Sequence, residues 1–420
     1  MFGFLIFVLF VLVALYWRAP AWVVLLSAAI AFLITGASGW LYFVLLLVAL
    51  ACCVPPVRRM VNERLFKRCQ QTLQAAVATE AADAASESVA WAGQLLAGKA
   101  DFAQSKPTAD ERLDDVTAGT ECLVQALASA NLAAESSREY ARTQASSGAD
   151  AALARVGAAV YQLEAVRALA LSADERSNMV ASIAQFVSAK QTRQAVNNAL
   201  DVQGNAAPAE LTQVYQSLPD SNHTATHSVQ IFEQALAGSH PFVPQEIVTT
   251  RRHDPEGFDE VLSNHVHSLA CNAARSFWLS LTNARFVTYP TEGEAAPYAR
   301  QLTRLAANFA VLADSIVFRV GLKPQEALSA AMGEAVVHLY TAVAVLQRFE
   351  REGSRKEDVA VMRYAAQQAL ADAQTAMDTA VRELPKCSKC RVRALVLPTG
   401  RNIAAPNDKA GQAVAQAMKA

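Results

Sequence analysis

Between residues 2 and 55 the chain carries a single charge, Arg18. Residues 2–17 form an unbroken apolar run, and residues 21–54 form a second, with a weak break at Gly36-Ala37-Ser38-Gly39. A helix rises about 1.5 Å per residue, so about 20 residues cross a ~30 Å hydrocarbon core. The second run is too long for one straight span. It reads as a hairpin of 22–35 and 40–54, or as one long span with an interfacial end. Trp17, Trp22 and Trp40 stand at run edges, where amphipathic rings prefer the headgroup layer. The pattern predicts membrane insertion without fixing the number of spans. A cleaved signal peptide is the weaker reading, because no basic residue precedes the first run and a second run follows it. Next comes Arg58, Arg59, Arg64, Lys67 and Arg68 against Glu63 alone. By the positive-inside rule this flank, and the body behind it, face the cytoplasm, and the basic residues favour anionic lipid.

From residue 67 the pattern turns helical and alanine-rich. A helix is expected over about 109–142, opened by the capping box Thr108-Ala-Asp-Glu111. A second, 149–171, places Leu153, Val156, Val160, Leu163 and Val166 at near-helical spacing. Ser172-Ala-Asp-Glu175 caps a third, running to about Leu200 and closed by Gly204 and Pro208. Short helices follow at 210–218 and 224–237. Residues 241–252, with two prolines and a β-branched cluster, read as a linker. Asp254-Pro255-Glu256 opens a second helical block. Its members lie near 264–282, 297–320, 324–349 and 354–384. In the second of these, Leu302, Leu305, Phe309, Leu312 and Ile316 make a core stripe. Residues 391–397 are the one plausible strand, and 407–420 are polar enough to fray. The fold class is therefore all-α: N-terminal membrane helices followed by helical bundles.

Composition refines this picture only a little. The apolar fraction is 53%, above the globular norm of about 45–50%, as membrane runs and abundant alanine require. The net charge of −1 gives no broad basic face, so nucleic acid is not a partner. The 7 cysteines are odd in number and scattered, which suits reduced thiols.

Little in the sequence carries recognisable chemistry. Gly-rich phosphate loops, zincin motifs and nucleophile elbows are absent. Cys387-Ser-Lys-Cys390 lacks the second ligand pair of a zinc site and reads as two thiols. His223 and His227 share a helix face, but Thr224 stands where a metalloprotease has its base. His265 and His267 diverge on a helix and read as surface or core residues. No metal ligand set emerges. Asp220, in Leu218-Pro-Asp-Ser-Asn-His223, reads as a turn or N-cap residue.

Arg275-Ser-Phe-Trp-Leu-Ser-Leu-Thr282, Leu302-Thr-Arg-Leu-Ala-Ala-Asn-Phe-Ala-Val-Leu-Ala-Asp314, Glu352-Gly353 and Leu397-Pro-Thr-Gly-Arg401 closely resemble the C-terminal region of the long, membrane-bound bacterial acyl-CoA dehydrogenases of fatty-acid β-oxidation. The likeness covers about 258–409 in order and spacing. Trp91-Ala-Gly-Gln-Leu-Leu-Ala-Gly-Lys-Ala-Asp-Phe102 resembles the family's opening. Between these ends the chain departs from the family: the β-domain that covers the flavin is missing, and about 140–243 looks like a shortened bundle. The resemblance implies a membrane anchor (1–57), a juxtamembrane helical arm (58–135), a shortened bundle (136–245) and the family's C-terminal helical domain (250–420).

The family's chemistry takes two hydrogens from a fatty acyl-CoA, a glutamate removing the α-proton and FAD accepting the β-hydride. Aligned on Ile231-Phe232 and His240-Pro241, the resemblance places Asp220 at the glutamate position, one methylene short. Gly204 and Asn205 stand where the family's Gly-Gly meets the adenine dinucleotide. Losing a general base costs about 10²–10⁴ in rate, and losing the flavin housing removes the group that does the hard chemistry. The resemblance thus implies an oxidoreductase of the family that is weak or inactive as this shortened chain. The alternative is a non-catalytic, membrane-tethered helical module binding a full-length dehydrogenase or other β-oxidation protein, with a homo-oligomer as a further partner the resemblance implies. A third reading, an anchored Ala/Gln/Ser/Glu-rich sensor, lacks a sustained heptad.

Overall fold

The computed structural model describes residues 2–35, scattered positions between 40 and 67, and residues 90–98, 118–144, 147–171, 178–218, 221–287, 293–319 and 325–419. Among these, all regular structure is helical. Two apolar helices, α1 (Phe2–Tyr16) and α2 (Ala21–Thr35), pack on each other. After the short α3 (Ala90–Leu96) come three long helices packed pairwise: α4 (Ala118–Thr143), α5 (Ser147–Ala170) and α6 (Asn178–Gln203). A 3-10 turn (Gly204–Ala206), α7 (Ala209–Ser217), α8 (Ser221–Gln234) and a π turn (Ala235–Ser239) lead to α9 (Val243–Arg251). The remainder is α10 (Pro255–Leu281), α11 (Ala296–Arg319), α12 (Glu326–Arg351), α13 (Val359–Glu383), α14 (Lys386–Val396) and α15 (Asp408–Lys419).

Helix α12 is the centre. It packs on α13, α8, α5 and α11, and nearly every residue from Ala335 to Leu346 is buried. One apolar core runs from Trp91 to Val414, so helices from both halves of the chain share it. Alanines dominate the contacts, and where two backbones must approach still more closely a glycine appears. A Cβ on Gly333 would stand 1.8 Å from the carbonyl oxygen of Ser228 on α8. Among the described residues α12 is also the one helix long and apolar enough to cross a bilayer, yet it is buried inside the protein. At 15 residues each, α1 and α2 reach about 22 Å at 1.5 Å per residue, short of a full span.

Several helix starts follow their local signals. Asp254 caps α10 by accepting from the amides of Glu256 and Gly257, with Pro255 in the first turn. Four expectations fail. Residues 241–252 are not a linker: α9 starts at Val243 with Pro244 in its first turn, and its Glu246 and Thr250 are buried. The expected strand at 391–397 is the end of α14, whose backbone bonds are made within the helix and whose last carbonyls are held by side chains of α10 and α11. Helix α13 starts at Val359, five residues after the expected start at 354, because Gly353 and Ser354 adopt left-handed conformations (φ 80° and 53°) and close α12. The C-terminus does not fray. Helix α15 lies on α5, burying Gly411, Val414 and Ala415, with Lys419 paired to Asp150. The capping boxes at 108–111 and 172–175 lie outside the described residues.

Candidate functional site

Four ionisable side chains meet in the interior between α9, α10 and α11. His240 follows the π turn. Its Nδ1 accepts from the amides of Phe242 and Val243, both 3.2 Å away, and so satisfies orphan donors at the start of α9. That fixes the tautomer: the proton is on Nε2, which donates to Asp314 Oδ1 on α11 at 3.0 Å. His265 of α10 stands on the other side of the same oxygen, its Nε2 3.1 Å away. Its Nδ1 lies 2.7 Å from Glu246 Oε1. Asn272, about two turns further along α10, donates to Asp314 Oδ2 at 3.4 Å. The Phe242 ring stacks on His265, and the Phe318 ring lies 4.5 Å from it.

Burial pushes the His265 imidazole down. Hydrogen bonds to Asp314 and Glu246, with their charges, outweigh it and leave its pKa at about 9. Burial also acts to raise Asp314, but hydrogen bonds from His240 and His265 hold its carboxyl below the usual range. His240 is pushed down by burial, against the pull of Asp314. The cluster is therefore an imidazolium between two carboxylates, with a neutral imidazole alongside. His240, His265 and Asp314 offer three buried atoms mutually within 4.8 Å, the spacing of a metal site. The proton on His240 Nε2 opposes that use. Its Nδ1 is already occupied by two amides, so Nε2 has no lone pair to give. Two ligands remain, below what a buried transition-metal site requires. The arrangement ties α9, α10 and α11 together and presents no reactive atom to solvent.

The resembling segments supply similar ties. Ser276 and Ser280 donate to Asn308 Oδ1 at 2.8 and 3.1 Å. Asn308 Nδ2 and Ser280 then hold the Val396 carbonyl, at 3.0 and 3.1 Å, at the end of α14. Arg401, after the left-handed Gly400, reaches Asp378 at 2.6 Å, and Arg382 meets the same oxygen at 2.7 Å. Glu352 pairs with Arg348.

The N-terminal segments dock on the same region. In the α1–α2 connection Arg18 (φ 52°) donates to the Ala97 carbonyl and, at 3.0 Å, to Asn272 Oδ1. Further on, Arg58 and Asn62 both reach Asp259, at 2.8 and 2.7 Å, while Arg59 pairs with Glu256 and Phe66 meets Phe258 edge-on. Part of the basic flank is thus engaged by α10.

Asp220 lies outside the described residues, as do the side chains of His223 and Cys387. Gly204 is left-handed (φ 53°) with open space around it, and Asn205 is exposed. Together they form a surface turn. His267 faces Cys271 Sγ at 3.6 Å, and Cys271 and Cys390 form no disulfide among the described residues. Sequence reasoning missed Glu246 and His240 as partners of His265 and Asp314. Their separations in the chain form no local spacing, and the only hint was that His240 and Asp314 both fell in segments carrying the resemblance.

The described helices of the C-terminal half are thus tied to one another by buried polar contacts. Residues 238–420, somewhat under half of the chain, match the family described as acyl-CoA dehydrogenase, C-terminal, bacterial type, so this part of the chain is similar to that family. No solved structure matches the chain.

Proposed function

We propose that the chain is a membrane-seated member of the acyl-CoA dehydrogenase family whose C-terminal domain is a structural and docking unit. The observation that carries this is the use made of the matched segments. Ser276, Ser280, Asn308, Asp314, Asp378 and Arg401 are all engaged in holding helices together. The family's activity is oxidation of a fatty acyl-CoA to the trans-2-enoyl-CoA within β-oxidation. FAD, when bound, supplies the hydride acceptor. Among the described residues no strand is present to form the β-domain that covers the flavin in the family, so we assign no step through FAD and propose a weak or inactive chain. Asp220 is the proposed base if the chain does turn over. The α1–α2 hairpin seats the body at the bacterial inner membrane, facing the cytoplasm.

The visible spectrum of detergent-purified protein tests this. A stoichiometric flavin that bleaches on adding fatty acyl-CoA would overturn the inactive reading, and Asp220→Asn should then abolish bleaching while sparing the fold. Colourless protein supports the inactive reading. The second reading is a module that binds a full-length dehydrogenase or another copy. It is favoured by the absence of any strand among the described residues. Co-purification of a larger, flavin-bearing subunit would select it.

A further inference from the structure

The connection between α10 and α11 is built in an unusual way. Asn283 and Ala284 both adopt left-handed backbone conformations, φ 51° and 55°. A left-handed non-glycine residue costs about 1–2 kcal/mol, and such strain persists only where the surroundings impose it. The surroundings here do so. The Ala284 amide bonds the Leu279 carbonyl at 2.8 Å, Gln301 donates to the Asn283 carbonyl at 3.1 Å, and Ala284 is buried against Leu279 and Ala307. What this pinned base projects is apolar and exposed. Phe286 is 75% accessible and Leu281 50%, with Arg285 exposed between them.

The patch is continuous with the N-terminal hairpin. Helix α1 packs on α10, and Tyr16 lies close enough to Arg275 to act on its charge. Trp278, partly exposed, is three residues beyond Arg275 and so on the same helix face. On α1 and α2 the outward residues include Leu9, Val13, Trp17, Trp22 and Leu33. Arg18, at the hairpin turn, is bonded to α10 and to Ala97. That turn therefore sits on the body, and α1 does not carry it to the far side of a bilayer.

We propose that the α10–α11 turn is a second lipid contact: Trp278, Leu281, Arg285 and Phe286, beside a hairpin that lies in the membrane interface, seat the C-terminal domain on an anionic bilayer surface. This rests on the membrane seating proposed above. The occupant is lipid because the neighbouring surface is an uncharged apolar hairpin. A tryptophan, a phenylalanine and an arginine are also the side-chain types that the headgroup layer favours.

The test uses the full chain in vesicles of phosphatidylcholine and phosphatidylglycerol with brominated acyl chains. A Phe286→Trp variant adds a reporter at the turn. Glu135→Trp adds one on α4, which packs on α5, α6, α7 and α15 and away from the hairpin. The expected result is loss of most of the emission added at 286 and none of that added at 135. Arg285→Glu should lessen quenching at 286 in anionic vesicles and leave it unchanged in neutral ones. Read in a Trp278→Phe background, quenching of the hairpin tryptophans Trp17 and Trp22 without quenching at 286 overturns the second contact alone. No quenching of the hairpin tryptophans overturns the membrane seating with it. An added tryptophan at 286 that is unquenched by the brominated bilayer yet shielded from aqueous iodide would assign the patch to a second copy or a protein partner instead.

Discussion

The imidazole of His265 stands 2.7 Å from the carboxylate of Glu246, a contact between two helices that bears on how the domain responds to pH. Asp314 holds the other ring nitrogen at 3.1 Å, and the pair of carboxylates keeps the ring protonated with a pKa of about 9 against an ordinary 6.5. The folded pKa is raised, so this stabilisation is complete below about pH 6.5 and is lost as pH rises through 9. A shift of this size corresponds to about 3 kcal/mol at most. Denaturant midpoints should therefore fall between pH 6.5 and 9, and His265→Gln should flatten that fall. A profile unchanged by the substitution would show that the imidazolium contributes nothing. His240 works in the opposite direction. Its depressed pKa means that acid must charge a buried ring, so stability also declines as pH falls.

Asn308 joins three elements with one side chain. Asn308→Ala removes the acceptor shared by the Ser276 and Ser280 hydroxyls and one of the two donors to the Val396 carbonyl, leaving the hydroxyls only their bonds to the Leu395 and Val396 carbonyls. Each hydrogen bond lost costs about 0.5–1.5 kcal/mol, so a loss of about 2–4 kcal/mol is expected for the three. Thermal unfolding measures it, and near-wild-type stability would mean that water replaces the amide.

Alanine is the better helix former by about 1 kcal/mol, yet Gly333→Ala should destabilise. The added methyl would overlap the Ser228 carbonyl, which is backbone and cannot swing aside. Helices α8 and α12 must separate, and overpacking of this kind costs about 1–3 kcal/mol or more. A stabilised variant in a urea titration would show that α8 yields freely.

Arg304 predicts a change of the other sign. It is 1% exposed, and its Nε and Nη2 have no hydrogen-bond partner. Burial alone pushes its guanidinium down to about 10, with no carboxylate to offset it. Replacing a buried, unpaired charge with an apolar side chain of similar length removes that penalty. Arg304→Met should raise stability by about 1–3 kcal/mol in the same titration. A loss would show that the guanidinium stem packs better than it is solvated.

These sites show where the sequence could be read and where it could not. The apolar stripe Leu302, Leu305, Phe309, Leu312 and Ile316 announced α11, and Asp254-Pro255 announced α10, because both signals act within one or two turns. Helices α9 and α14 were misread for the same reason. The β-branched run Ile247-Val248-Thr249-Thr250 and the short apolar run before Leu397 carry strand propensity, and only burial of Glu246 and the ties from Ser280 and Asn308 override it. The polar cluster was out of reach altogether. His265 looked like an ordinary core residue, and its meaning depends on Glu246 and Asp314, which fall on other helices. The resemblance pointed to Asp314 as part of a recognisable segment but said nothing of what it touches.

Arg18 links the two ends of this molecule. It is the sole charge between residues 2 and 55, a place where a cation near lipid is costly unless it is bonded elsewhere. Here it bonds the Ala97 carbonyl and Asn272 Oδ1, and Asn272 in turn donates to Asp314. The hairpin is therefore fastened to the buried cluster through two side chains. Arg18→Ala removes the fastening while leaving α1 and α2 as apolar as before, so membrane association should persist and the coupling to the body should weaken. Hydrogen exchange in nanodiscs distinguishes these effects. Amides at the end of α1 and around Ala97 should exchange faster, while the α12 core stays protected. If protection around Ala97 is unchanged, the apolar contact between α1 and α10 is enough to hold the hairpin in place, and the charge has some other purpose.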